Sequence, residues 1–219
     1  MKKELLFFLI LVSSCAPTRI VKPLEKGEKS LAVSAGGPLV NIPGIVAPLP
    51  FTSVSGATGL RSDLSLYSGI NTTSLLFGVL HTDVGILKEL RKPDGFLPGI
   101  SIAPSINFMI DHWEWNAKFY PQFDLNFYWH YINKKNFFYV GSSNWFEFSR
   151  SKAHGELLTQ HWVPDVHLGH TFIIKKMGYT LEVRYLAPFN ENRIVVLDYI
   201  SPGDRGAIGV YFGLSRRFK

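Results

Sequence analysis

Residues 116–132, NAKFYPQFDLNFYWHYI, alternate two kinds of side chain with period two over seventeen positions. One parity holds Asn116, Lys118, Tyr120, Gln122, Asp124, Asn126, Tyr128 and His130. The other holds Ala117, Phe119, Pro121, Phe123, Leu125, Phe127, Trp129 and Tyr131. Successive side chains of a strand point to opposite sheet faces, so this pattern predicts a β-strand with one polar and one aromatic face. At ~3.3 Å per residue and a ~45° tilt it rises about 40 Å, more than a ~30 Å hydrocarbon core. Any fold that uses this strand has to cover a long apolar face.

The same alternation recurs along the chain. Candidate strands fall at 30–38, 51–60, 62–70, 74–88, 96–110, 115–132, 136–149, 161–174, 178–189 and 206–218. A small soluble barrel turns its apolar face inward, and its interior has no room for Phe119, Phe123, Phe127 and Trp129 from one strand plus nine similar sets. A transmembrane barrel turns that face to lipid and keeps Gly, Ser, Asn and single charges inside. The expected fold is therefore all-β: an antiparallel up-and-down transmembrane β-barrel of about ten strands, with eight or twelve as alternatives. Short turns at 59–63, 90–95, 133–136 and 175–178 alternate with longer loops at 39–50, 150–160 and 190–205. In bacterial barrels the short side is periplasmic. Pro104, Pro121 and Pro164 lie on the lipid parity, where each deletes a ladder donor, so bulges or local breaks are expected there.

The chain opens with MKKELLFFLILVSSC, two lysines and then an apolar stretch too short to span a bilayer. Val12-Ser13-Ser14-Cys15 resembles the lipobox of bacterial lipoproteins. That resemblance implies cleavage before Cys15, acylation of Cys15 with palmitate among the chains, and, with Ala16 next, an outer-membrane destination. The expected organisation is a lipoprotein signal peptide at 1–14, an acylated periplasmic tether at 15–29 and an outer-membrane barrel at 30–219. The anchor is expected in the periplasmic leaflet. Cys15 is the single cysteine, so no disulfide framework exists. The last strand, GAIGVYFGLSRRFK, resembles the closing strand of outer-membrane barrels, which implies recognition of Phe212, Leu214 and Phe218 by the barrel assembly machinery.

The lumen parity carries the titratable candidates. Lys118, Asp124, His130, Glu147, Glu182 and Arg184 form an expected polar network, since polar groups in a narrow interior must pair. His81 with Asp83, and Asp165 with His167, are spaced i, i+2 and so share a face. Two such pairs across a barrel are weak catalytic candidates for activating a water. Asp165-Val166-His167 resembles part of the catalytic set of omptin-class outer-membrane proteases, themselves ten-stranded barrels; there the opposite partner is a pair of aspartates rather than His81 with Asp83. No metal-ligand spacing joins His81, His161 and His167, and no nucleotide fingerprint appears, so neither metal nor cofactor is expected. A net charge of +6 without a dense basic run gives no reason to expect nucleic acid. The reading is a structural or partner-binding envelope barrel, with a narrow porin-like channel and a barrel-embedded hydrolase (a protease or a lipid esterase) as alternatives. Its expected partners are outer-membrane lipids and envelope proteins meeting loops 150–160 and 190–205.

Overall fold

The computed structural model describes residues 17–131, 135–149, 157–158, 160–192 and 197–219. The elements are β1 (Lys29–Ile42), β2 (Ile45–Pro48), β3 (Phe51–Arg61), β4 (Leu64–Asn71), the short helix α1 (Thr72–Leu76), β5 (Val79–Arg91), β6 (Gly99–Asp111), β7 (Ala117–Tyr131), β8 (Asn136–Phe146), β9 (Trp162–Ile174), β10 (Met177–Glu191) and β11 (Arg205–Phe218). Each barrel strand pairs antiparallel with its neighbours in sequence, and β11 pairs with β1 from Lys29↔Phe218 to Pro38↔Gly209. The sheet therefore closes on itself and leaves no edge. The small strand β2 folds back on the far end of β1, Leu39 to Ile42, so ten strands make the barrel.

The two parities sort as the alternation dictates. In β7, Tyr120, Asp124, Asn126 and Tyr128 are buried inward, while Phe119 and Phe123 are exposed outward. Leu168, Phe172, Tyr179, Leu181, Phe212 and Leu214 continue that outer face around β9, β10 and β11. Aromatic pairs mark both rims: Trp129 stacks on Phe138 at 5.1 Å near the short turns, and Phe108 meets Phe119 at 5.0 Å near the long loops. Such girdles belong at the two interfaces of a bilayer. Among the described residues no helix is long and apolar enough to cross a membrane; the strands are the crossing elements.

Three expectations shift. Residues 74–76, read as the start of a strand, belong to α1. Asn71 caps it by accepting a hydrogen bond from Ser74 N at 3.1 Å, and Leu76 is 85% exposed. Barrel pairing resumes at Val79. The loop expected at 39–50 contains the β1–β2 hairpin, bridged by Val40↔Tyr199 to the 197–205 segment. The prolines produce breaks without bulges. At Pro104 the β5–β6 ladder passes from Gly85↔Ser105 to Lys88↔Ile102 in unchanged register. Pro121 and Pro164 lie just beyond the last pairs of the β7–β8 and β9–β10 ladders, Gln122↔Trp145 and Asp165↔Leu186, and stay paired on the other side, Ile106↔Pro121 and Asn144↔Pro164. The register shifts fall elsewhere, at Gly59/Arg61, Glu89/Arg91 and Leu186/Glu191.

The largest correction concerns 15–29. Pro17 to Leu24 are not a tether outside the sheet but a segment laid inside the barrel, and Glu25 to Glu28 lead from its mouth into β1. The expected signal peptide and Cys15 lie outside the described residues, as do 193–196 of loop 190–205 and most of loop 150–160.

Candidate functional site: the lumen and its inserted segment

Ten strands tilted ~40° enclose a backbone cylinder of roughly 10 Å radius, wider than an eight-stranded barrel that side chains alone just fill. The wall is uneven. β1, β3, β4 and β6 point small residues inward, among them Ser30, Ala32, Ser55, Ala57, Ser65 and Ser101, whereas β7 to β10 supply Tyr128, Phe137, Tyr139, His167, Glu182 and Arg184. The inserted segment occupies the space left on the small side. Gly59 has to be glycine for this, since a Cβ there would overlap the Glu25 carbonyl; at Gly69 a Cβ would come within 2.9 Å of Arg19 Cζ, and the arginine side chain would have to give way.

The segment is held at each level. Near the short-turn end Gly27 N donates to Gly59 O at 2.8 Å, Leu24 N to Ser65 Oγ at 2.9 Å, and Ser101 Oγ donates to Val21 O at 2.7 Å. Val21 is buried against Tyr128, Phe137 and Tyr139. Further in, Arg19 donates from Nε (3.1 Å) and Nη2 (2.7 Å) to Asp83 Oδ2 and from Nη1 to Ser53 Oγ at 2.5 Å. Thr18 N donates to Glu182 Oε1 at 3.1 Å, and Arg184 Nη2 donates to Thr18 Oγ1 at 2.7 Å.

Arg184 is the hub of the wall. Its Nε donates to Glu182 Oε1 at 2.6 Å and its Nη1 to Asp165 Oδ2 at 2.9 Å. Tyr139 OH donates to the other Glu182 oxygen at 2.6 Å. Glu182 is 0% exposed, Arg184 2% and Asp165 5%, so protein groups rather than bulk water compensate these charges.

Of the paired residues singled out from sequence, His81, Asp83 and Asp165 meet at one small cavity, and the two aspartates bind arginines there. His81, Asp83, Asp165 and Arg184 line it with Asp124, Trp145, Pro17 and Arg19. Asp83 holds Arg19 and does not bond His81, whose Nε2 lies 3.3 Å from Asn107 Oδ1. His167 has both ring nitrogens engaged, Nδ1 with Asp165 Oδ1 at 3.2 Å and Nε2 with Asn126 Oδ1 at 2.8 Å. A general base needs a nitrogen that faces its substrate, and His167 presents none.

The other network members divide. Lys118 pairs with Glu147 at 3.5 Å toward the long-loop mouth. Asp124 receives Gln122 Nε2 at 2.8 Å rather than an arginine or lysine. His130 sits against the rings of Tyr128 and Phe137. His161 lies at the start of β9 with Nδ1 2.8 Å from Glu147 O, far from His81 and His167 in the lumen. Among the described residues no cluster of three or more metal-ligating side chains forms. Phe212, Leu214 and Phe218 face outward on β11, beside the seam.

Sequence reasoning missed Thr18, Arg19, Val21 and Leu24, which read as a polar linker. The usable signal was on the opposite wall: strands whose inward residues are Ser, Ala and Gly cannot fill a ten-stranded lumen by themselves.

This closed, lipid-faced, antiparallel sheet defines the class as the up-and-down transmembrane β-barrel. No protein-family model matches the chain, and no curated protein matches it. Solved structures do. The translocator domain of the autotransporter NalP from Neisseria meningitidis is similar at a TM-score of 0.50 and 7% identity, over 89% of this chain and 90% of that one. An outer membrane channel from Pseudomonas putida F1 is similar at 0.44 and 10%, over 93% and 100%. The outer membrane protein OprG from Pseudomonas aeruginosa follows at 0.37 and 12%, over 91% and 99%. At these identities the likeness is one of fold.

Proposed function

We propose that this protein is an outer-membrane β-barrel with a structural or partner-binding role in the cell envelope, its lumen closed in the resting state by its own N-terminal segment. One observation carries the reading: with residues 17–24 seated, the two lumen cavities they line measure ≈ 90 Å³ and ≈ 30 Å³, room for a few water molecules. An open porin does not fit that filling, and His167, with both ring nitrogens engaged, is not free to act as a hydrolase's general base. The exposed β1–β2 hairpin and the 197–205 segment it bridges are the surface offered to envelope partners. Phe212, Leu214 and Phe218 remain the candidate contact for the barrel assembly machinery.

Acylation at Cys15 stays part of the proposal, with one constraint. One residue, Ala16, separates it from Pro17, at most about 7 Å of extended chain, and Pro17 lines a lumen cavity. A chain anchored by Cys15 in the periplasmic leaflet therefore has to hold Thr18 to Leu24 out of the lumen. The anchored form and the plugged form are alternative states of one molecule.

Planar-bilayer recording of the purified protein tests the closed lumen: no steady conductance is expected, and a large permanent one overturns the reading. Partners are sought by co-purification from mildly solubilised outer membrane.

A further inference from the structure

Arg19 lies between the two lumen cavities and, with Tyr67, lines both. It lines the larger one with Ser30, Ala32, Ser55, Ala57 and Ser215, and it also lines the smaller one with His81, Asp83, Asp124 and Asp165. Its guanidinium is a bound cation in a built site: Asp83 Oδ2 takes two of its donors and Ser53 Oγ a third. Ser34 backs Ser53 at 2.6 Å, so the acceptor is held in place. Among the described residues Asp83 Oδ1 and His81 Nδ1, both buried, have no hydrogen-bond partner. The site thus keeps unused acceptor capacity beyond what Arg19 takes.

The surrounding wall is acidic. Asp83, Glu89, Asp124, Asp165 and Glu182 are all buried inward, and the cation among them that belongs to the wall is Arg184. At the two mouths Lys118 pairs with Glu147, and Arg217 lies 3.8 Å from Glu28. Arg19 and Lys22, both on the inserted segment, supply the missing positive charge. If the segment moves, that charge leaves with it, and a narrow low-dielectric passage lined by carboxylates concentrates cations.

We propose that the lumen is a cation-selective conduit gated by Arg19, with the guanidinium on Asp83 and Ser53 standing where a permeant cation binds. The ligand class is the small cation: alkali-metal ions, and small organic cations of guanidinium or ammonium type. The proposal rests on the plugged-barrel reading, since the plugged state is its closed state. Withdrawal of Arg19 joins the two cavities along the small-residue side of the barrel.

The test uses the full chain in planar bilayers, with heat-modifiable gel migration to verify folding. Arg19→Ala should raise open probability about tenfold or more, as expected for losing a charge-assisted double hydrogen bond. The reversal potential under a KCl gradient should show potassium preferred over chloride. Millimolar guanidinium should close the Arg19→Ala pore by refilling the site, and Asp83→Asn added to it should abolish that block. Arg19→Lys should stay closer to wild type. If Arg19→Ala fails to fold, wild type in concentrated KCl serves, because salt weakens the Arg19–Asp83 pair and should bring cation-selective openings. An Arg19→Ala pore that stays silent, or wild type that stays silent at high salt, overturns the gate while leaving the plugged reading standing. Wild type conducting at the Arg19→Ala level overturns the plugged reading itself. A pore that prefers chloride, or ignores guanidinium, overturns the site.

Discussion

Removing the Arg184 side chain, as Arg184→Met, isolates the energetics of the lumen network. The guanidinium is bonded to Glu182, to Asp165 and to Thr18 of the inserted segment. Methionine has a similar stem and no charge, so packing is largely kept while two carboxylates lose their cation. Glu182 is 0% exposed and Asp165 5%, which leaves little access for screening water. Breaking one side of a buried ion pair costs about 3–5 kcal/mol, whereas replacing all its charged members together is close to neutral. Arg184→Met should therefore lose about 3–5 kcal/mol in urea unfolding of the refolded barrel in lipid vesicles. The triple variant with Glu182→Gln and Asp165→Asn should recover most of it. A single-variant loss below about 1 kcal/mol would mean that lumen water solvates these carboxylates, and the buried network would not be the one described. A triple variant no better than the single would point to lost shape rather than uncompensated charge.

Leu125→Arg puts a charge near the middle of the lipid face and should cost about 2–4 kcal/mol, read as lost heat-modifiability or a lowered urea midpoint. Asn126→Arg points inward but should fail too, because Asn126 is 0% exposed and bonded to His167; full tolerance would mean an open lumen. In the turn after β3, a hydrogen bond from Lys88 holds the Asp63 carboxyl below the usual carboxylate range. Its small contribution is present above that range and lost as pH falls through the lowered value, so Asp63→Asn should flatten the acid limb of a stability profile, and an unchanged limb would refute it. Cysteines placed at Pro202 and Lys176 test orientation: an impermeant maleimide should label the first in intact cells and the second only after lysis, and the reverse pattern inverts the barrel.

Ten strands were legible because one face of each meets lipid and the other the lumen, and that contrast writes period two into β7 or β10 without ambiguity. α1 was not legible. Its five residues, Thr72–Leu76, extend the alternation of the neighbouring strand, and the Asn71 cap that turns the chain is a single local hydrogen bond. His81 with Asp83, and Asp165 with His167, are each buried on one side of their strand, since i, i+2 spacing fixes a face. What spacing does not fix is the partner. Two arginines from distant parts of the sequence, Arg19 and Arg184, claim the aspartates. The inserted segment was the least legible element because its burial is decided elsewhere. Pro17, Arg19, Lys22 and Pro23 describe a solvated linker by composition, and only the small inward residues of β1 and β3, with Ser65 and Gly69 of β4, describe the gap that receives it.

The seam between β1 and β11 joins residues from opposite ends of the chain, Lys29 with Phe218 and nine further pairs along to Pro38 with Gly209. Contacts so distant in sequence form late, because the long intervening chain has to be ordered first. The inserted segment runs straight into β1, so it belongs to the same late event. While the seam gapes, Thr18 to Leu24 can be laid sideways against Ser65, Asp83 and Ser101; once it has zipped, the same residues have to be threaded endwise through a crowded polar tube. The order of these two steps therefore sets how the segment first reaches its seat, and a barrel that zips first with the segment outside has to admit it endwise.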